Sequence, residues 1–232
     1  VPSQVLGPGS GYRVPEDSDI QTYFRALQDR SEAMARIVLS DRLVEYLPNQ
    51  KFVVNGGPAR AVSGGAVVGD VVEVSPGAAF VTSRDTVDLG TEVDFDDPRA
   101  AYRFARVRIA VERWLAPGPA PDVVDVAAFV PHPAGPLGDA EVGALRRLGR
   151  VIVVLAATDR RYDWGPEVRV IAGSGVLLGD TDERGRIGFP GLGPDSSAFV
   201  GGTTVGGLTT AWQRKPPPIT VREDDNGVLT RP

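Results

Sequence analysis

The chain has 232 residues, no cysteine, a single histidine and a formal net charge of −5, with 42% apolar and 24% charged residues. This is the composition of a globular protein, and it excludes disulfides, thiolate metal sites, iron–sulfur clusters and cysteine nucleophiles. The acidic balance argues against a nucleic-acid binder, whose footprint is a basic patch, and no run approaches the roughly 18 apolar residues of a transmembrane helix.

Glycine (28) and proline (20) are frequent, which predicts many short strands punctuated by turns. The basic residues are almost all arginine, with Lys51 and Lys215 the only lysines, a coding bias that points to a GC-rich, bacterial source. The chain begins at Val1 and holds one methionine, Met34. A removed export signal would leave such a start, and the expectation drawn from it is an extracellular or cell-envelope location; a trimmed cytoplasmic product is the alternative.

In chain order, residues 1–17 read as a loose arm around Gly7-Pro-Gly-Ser-Gly11. The glycines lack the Lys-Ser/Thr ending and the preceding strand of a phosphate loop. Ser18 with Gln21 forms a capping-box pattern. It opens an amphipathic helix whose inner face carries Ile20, Tyr23, Phe24, Leu27, Met34, Ile37 and Val38, with a continuation toward Leu47 before Pro48. The segment 18–50 is thus helical, and its apolar face is expected in the core.

Lys51–Asn55 predicts a short strand, and Ala66–Val74 a strong one in which Gly69 marks a bend or a close backbone approach. Ser75-Pro-Gly77 reads as a turn. Asp85, Asp88, Glu92, Asp94, Asp96 and Asp97 then place six carboxylates in thirteen positions. Mutual repulsion predicts an exposed loop. The functional alternative is a hard-cation site, Ca²⁺ above all, with Asp94, Asp96 and Asp97 as ligands.

Ala101–Val130 predicts a strand, a proline-stiffened elbow (Pro117, Pro119, Pro121) and a second strand from Val123. Ala105, Val107, Ile109 and Val111 alternate with Arg106, Arg108 and Glu112, as in a half-buried strand. Tyr102 and Phe104 sit on the opposite parity, which predicts either a bulge near Ala105–Arg106 or a later start. His132, the lone histidine, lies between two prolines; as a general base it would need a nucleophile and an acid beside it. Asp139 can cap a short helix near 140–148, with Val142, Leu145 and Leu148 inward and Gly149 at its end. Arg150–Ala157 is the most apolar run and predicts a central strand.

Beyond a polar loop at Asp159–Asp163, strands are expected at Glu167–Ile171 and Val176–Leu178, joined by a Gly-Ser-Gly turn. Asp180, Asp182, Gly185 and Ile187 fall at positions 1, 3, 6 and 8 of a calcium loop, but Arg184 and Gly191 stand where an acceptor and a bidentate glutamate belong. A hairpin turn explains the segment better. Residues 191–232 read as a Gly/Pro-rich β extension, with candidate strands at Ala198–Val200 and Leu208–Trp212, a Pro216–Pro218 spacer and an Asn226-Gly227 hairpin turn.

The succession VVGDVVEV (67–74), an acidic loop, ARVRIAVERWLAPGPAPDVVDV (105–126), LGRVIVVLAA (148–157) and VLLGDTDERGRIGFP (176–190) resembles a domain of exported bacterial proteins that is similar to the netrin/TIMP-like version of the OB barrel. The chain departs from that pattern in having Trp114-Leu115-Ala116-Pro117 where a lysine–glycine turn is usual. The resemblance implies a Greek-key barrel and export, and carries over no functional residues.

The expected fold is therefore mainly β, an OB-like or Greek-key barrel or sandwich over 51–190 with an N-terminal amphipathic helix. The expected function is a non-enzymatic exported module that binds a protein or a cell-envelope component. A structural subunit that self-assembles through its terminal arms is the alternative, and a carboxylate- or metal-dependent hydrolase built on Asp94–Asp97 is the second.

Overall fold

The computed structural model describes residues 16–38, 51–61, 63–81, 90–132, 135–156, 168–171, 178–191, 204–214, 217–223 and 229–230. Several expected features lie outside these: the N-terminal arm, the continuation of the first helix, Asp85 and Asp88, the Asp159–Asp163 loop, the Gly-Ser-Gly turn, the Ala198–Val200 strand and the Asn226-Gly227 turn.

The protein is mainly β, with a large mixed sheet, a smaller sheet and three helices. The large sheet is organised on β3 (Ser63–Phe80), which pairs along one edge with β5 (Tyr102–Leu115) and along the other with β7 (Arg150–Ala156). β5 continues to β6 (Val123–Val130), and β6 runs parallel to β8 (Val168–Val170). On the far side, β7 pairs with β9 (Leu178–Thr181), and β9 with β10 (Ile187–Gly188). β4 (Glu92–Val93) is a short addition to the end of β3. A single bridge from Ile171 to Leu155 brings the β8 side back against β7. The described strands do not form a closed barrel.

The smaller sheet has the order β12 (Leu229–Thr230), β11 (Ile219–Glu223), β1 (Lys51–Val54), β2 (Ala59–Ala61), with β1 and β11 parallel. The C-terminal extension thus folds onto the first strand of its own chain.

β3 is long because it absorbs irregularities. Register shifts fall between Val68 and Gly69, Val71 and Glu73, and Pro76 and Ala79. The last corrects the turn expected at Ser75-Pro-Gly77: these residues lie inside the strand, where a bulge takes up the proline. A side chain at Gly77 would lie 2.2 Å from the Phe104 carbonyl oxygen, so the close approach requires glycine there.

The parity change expected near Ala105 is absent. β5 begins at Tyr102 and stays in even register with β6 from Arg103 to Ala110. Its inner face reads Arg103, Ala105, Val107, Ile109, all buried. Tyr102 and Phe104 belong to the outer face, where Phe104 packs on Phe80 and Phe129 and Tyr102 on Phe129.

The three helices are α1 (Ser18–Val38), α2 (Pro136–Arg147) and α3 (Val205–Gln213). No described helix is long and apolar enough to cross a membrane. α1 buries Ile20, Tyr23, Phe24 and Leu27 as its spacing demands. Its cap is Asp17 rather than Ser18: Asp17 Oδ1 accepts from the backbone N–H groups of Asp19 (2.9 Å) and Ile20 (3.0 Å). α2 opens earlier than expected, at Pro136 with Gly135 in the cap position and no side-chain cap. The fixed φ of a first-turn proline suits that start. Leu148 occupies its C-cap and Gly149 follows directly, at the expected end of the helix.

α3 replaces the strand expected at Leu208–Trp212. Thr204 Oγ1 accepts from Gly207 N at 3.0 Å, which caps the helix, and Val205 and Leu208 are buried on one face with Trp212 packed against the core.

Arg147 of α2 ties the two long helices together. Its Nε donates to Asp17 Oδ2 at 2.8 Å and its Nη2 to Asp19 Oδ2 at 2.7 Å. The Arg147 guanidinium, with the Ile20 and Asp19 amides, lowers Asp17 from 3.8 to about 2. A depressed carboxylate contributes stability that is complete above its unfolded value and is lost as pH falls through its folded one. The stability difference between wild type and Asp17→Asn is expected to hold steady above about pH 4 and to shrink as pH falls toward about 2. Urea unfolding of both proteins at several pH values measures it; a difference that stays constant across that window would exclude the linkage.

Candidate functional site

Four clusters collect the chemistry-bearing side chains among the described residues, and they lie on different parts of the fold.

The acidic loop leads into β5. Asp97 N donates to Asp94 O, and Ala100 N to Asp97 O, so the segment is a compact turn. The Asp97 carboxylate accepts from Arg99 N (2.8 Å), Nε (3.0 Å) and Nη2 (2.6 Å). The Arg99 side chain is the main reason that Asp97 is lowered to about 2. Asp96 is 83% exposed and lies 3.6 Å from Arg103 Nη2. Two of the three candidate cation ligands therefore face guanidinium groups. Among the described residues no group of three His, Asp or Glu side chains converges on a metal position.

Arg103 is the anomaly of this region. Its side chain is 1% exposed, its Nε, Nη1 and Nη2 make no hydrogen bond among the described residues, and its guanidinium lies 4.0 Å from the centre of the Phe95 ring. The ring supplies a cation–π contact, but a buried guanidinium ordinarily has hydrogen-bond partners as well.

Asp180 and Asp182 sit on the β9–β10 hairpin. Asp180 Oδ1 accepts from Thr181 N at 2.7 Å. Asp182 Oδ1 accepts from Arg184 N and Arg186 N, both at 2.9 Å, and its Oδ2 from Arg186 Nε. Burial raises the Asp182 carboxyl, and these hydrogen bonds outweigh it and hold the group below the ordinary carboxylate range. Asp182 thus acts as the acceptor that shapes the turn, which is the hairpin expected from the sequence.

His132 meets an acid that sequence reasoning could not place. Glu141 of α2, almost fully buried, sets Oε1 at 2.5 Å from His132 Nδ1 and accepts the His132 backbone N–H at 3.0 Å. The carboxylate fixes the tautomer with the proton on Nδ1. Tyr23 lies close by, with its hydroxyl donating to Phe129 O at 2.9 Å; burial, and then the Glu141 charge, push its phenol up. No serine or threonine hydroxyl bonds the imidazole among the described residues, so two members of a triad are present there without a third.

The outer face of the large sheet carries the fourth cluster. Opposite β5, β3 places Glu73 beside Arg108 and Ser75 beside Arg106, while β6 places Asp125 beside Arg108. Asp125 is the polar residue in an otherwise apolar strand, and its side chain is only 10% exposed. Its Oδ2 accepts from Arg106 Nε (3.0 Å), Arg106 Nη2 (2.5 Å) and Arg108 Nη2 (3.2 Å), and its Oδ1 from Arg108 Nε (2.9 Å). Arg108 Nη1 donates to Glu73 Oε2 at 3.0 Å. Burial raises Asp125, but the hydrogen bonds from Arg108 and Arg106 outweigh it and hold the carboxyl below its ordinary range. One buried carboxylate thus fixes two half-exposed guanidiniums side by side. Together the five side chains line a shallow, solvent-open hollow.

Sequence reasoning saw the alternation of Arg106 and Arg108 with Val107 and Ile109, but it did not single these residues out. The available signal was the lone Asp125 inside VVDVAAFV, an acid that needs a cationic partner if buried.

Comparison with protein-family models, with curated proteins and with solved structures finds no match to this chain.

Proposed function

We propose that the chain is a non-enzymatic binding module of OB-like architecture, exported by a bacterium, which engages a protein or cell-envelope partner through the outer face of β5 and β6. The observation that carries the reading is the guanidinium pair of Arg106 and Arg108, half-exposed yet held in place by the buried Asp125. A charged group fixed in advance loses little freedom on binding, which is what a recognition surface requires.

The OB-like part of the reading draws on strand order. In the large sheet β7, β3, β5, β6 and β8 are neighbours in that order, a single bridge joins Ile171 to Leu155, β6 and β8 are parallel, and α2 connects β6 to β7. A five-stranded, partly open Greek-key barrel connects its strands in the same sequence, which supports the OB-like reading. Such barrels serve many functions, so the architecture supports a binding role without choosing the ligand. The hydrolase alternative is weakened by the arginine partners of Asp96 and Asp97. The assembly alternative is weakened by β11, which is already paired with β1 of the same chain.

The test is co-sedimentation of the purified chain with isolated bacterial envelopes. The wild type is expected in the pellet and Arg106→Gln mainly in the supernatant. Envelopes treated with protease separate a protein partner from a polymer. Wild-type protein left in the supernatant, or equal retention of both proteins, would overturn the proposal.

A further inference from the structure

The outer-face cluster holds more donors than it uses. Arg106 spends Nε and Nη2 on Asp125, and its Nη1 has no hydrogen-bond partner among the described residues. Arg108 Nη1 gives one N–H to Glu73, which leaves its second. The Ser75 residue lies directly across the ladder from Arg106, and its hydroxyl makes no hydrogen bond among the described residues. All three residues line the same hollow. Asp125 is already engaged by the two arginines, with three hydrogen bonds on Oδ2 and one on Oδ1.

Donors left over on three side chains around one hollow call for an acceptor with at least three oxygens. A planar carboxylate offers two in one plane and is matched by a single guanidinium fork; a phosphate offers three or more around a tetrahedron. Resting on the reading of this face as a binding surface, we infer that the Ser75–Arg106–Arg108 hollow binds a phosphate group, either free or carried by a phosphodiester polymer.

Glu73 is the opposing element. It lies at the rim with its side chain 56% exposed, and its charge faces the incoming anion while occupying one Arg108 donor. It tunes the site downward, so the inference predicts variants of opposite sign. Ser75→Ala removes a donor and leaves the Arg–Asp network intact. Glu73→Gln removes the repulsion and frees a guanidinium N–H. Both changes are at solvent-accessible positions, and the amide spectrum away from the site reports folding directly.

The experiment is a ¹H–¹⁵N titration of the full chain with inorganic phosphate at constant ionic strength, with acetate as the comparison anion. The expected result is a saturating shift confined to residues around Ser75, Arg106, Arg108 and Asp125, with phosphate bound at least about threefold more tightly than acetate. Ser75→Ala should weaken phosphate by about threefold or more, and Glu73→Gln should tighten it by a similar factor. Absence of a local saturating shift, equal binding of acetate, or a Glu73→Gln change that weakens binding would overturn the inference. A glycerol-phosphate oligomer forms the second arm. Tighter binding of the oligomer at the same residues assigns the site to a polymer, and binding of inorganic phosphate alone assigns it to the free ion. Phosphate binding by a chain that does not sediment with envelopes would remove the envelope reading and keep the site; sedimentation without phosphate binding would do the reverse.

Discussion

Gly69→Ala is expected to destabilise the protein by on the order of 3 kcal/mol, lowering its melting temperature by roughly 6–12 °C. Gly69 lies at the middle of β3, paired with Val111 on one side and Val151 on the other. A methyl group there would sit 2.0 Å from the Ala110 carbonyl oxygen and 2.8 Å from Ile109 Cγ2. The first obstacle is backbone in a paired strand, so it can retreat only by opening the β3–β5 ladder. The β5 chain bulges here: the register passes from Val68–Arg113 to Gly69–Val111 and leaves Glu112 over. That residue turns outward and pairs with Arg150 at 2.7 Å through both oxygens. Denaturant unfolding of the variant measures the cost. A loss below about 0.5 kcal/mol, the range of an ordinary surface substitution, would mean that the strands separate more easily than this packing implies.

Arg103→Met should move stability the other way, by about 1–3 kcal/mol. The guanidinium is desolvated without hydrogen bonds among the described residues, and Asp96, the carboxylate it faces there at 3.6 Å, remains in water and attracts it weakly. Methionine keeps most of the volume and removes the charge, at the loss of the contact with Phe95. Arg103→Ala separates the two effects, because it discards the charge and also leaves a cavity next to its strand partners Ala79 and Val130; it should be less stable than Arg103→Met by about 2 kcal/mol or more. Asp96→Asn, at an exposed position, should change stability by less than about 1 kcal/mol. Thermal melts of the three variants decide the matter. A methionine variant less stable than wild type would show that the buried charge is compensated.

These two positions also mark what can be read from the sequence. The strands of the large sheet were legible because alternation and apolar runs are local signals: Val107 and Ile109 inward with Arg106 and Arg108 outward, and Arg150–Ala156 buried through its centre. Gly69 was legible as a close approach because glycine has little other reason to interrupt so apolar a strand. Arg103 was not, since an arginine between two aromatics reads as solvent-facing, and the opposite parity of Tyr102 and Phe104 pointed to a bulge or a later strand start. The pairing that buries it depends on β6 and on a loop residue, Phe95, which no local pattern couples to it. α3 was missed for a similar reason: Thr209, Thr210 and the glycines favour extended chain. The Thr204 cap and the Val205, Leu208, Trp212 spacing were there to be read against them.

The outer-face cluster was half legible. Parity placed Arg106 and Arg108 on one side of β5 and Asp125 on one side of β6. What the sequence lacks is the offset between those strands, because the loop from Ala116 to Asp122 sets it and its geometry is not encoded in any single residue. A shift of one position would have sent Asp125 into the core and left both arginines without an anchor. The Glu141–His132 contact is a further case, since it joins a helix face to the residue just past a strand end.

The parallel pairing of β1 with β11 has a mechanical consequence. Phe52, Val53 and Val54 lie against Ile219, Thr220 and Val221, so the strand that leads into the large sheet is bound to one that follows it. Tension applied between a point before Lys51 and a point after Glu223 pulls the two strands past each other along their length. The inter-strand hydrogen bonds then carry the load together instead of parting one at a time, and the large sheet between them is shielded until they fail. The small sheet is in this sense a shear clamp.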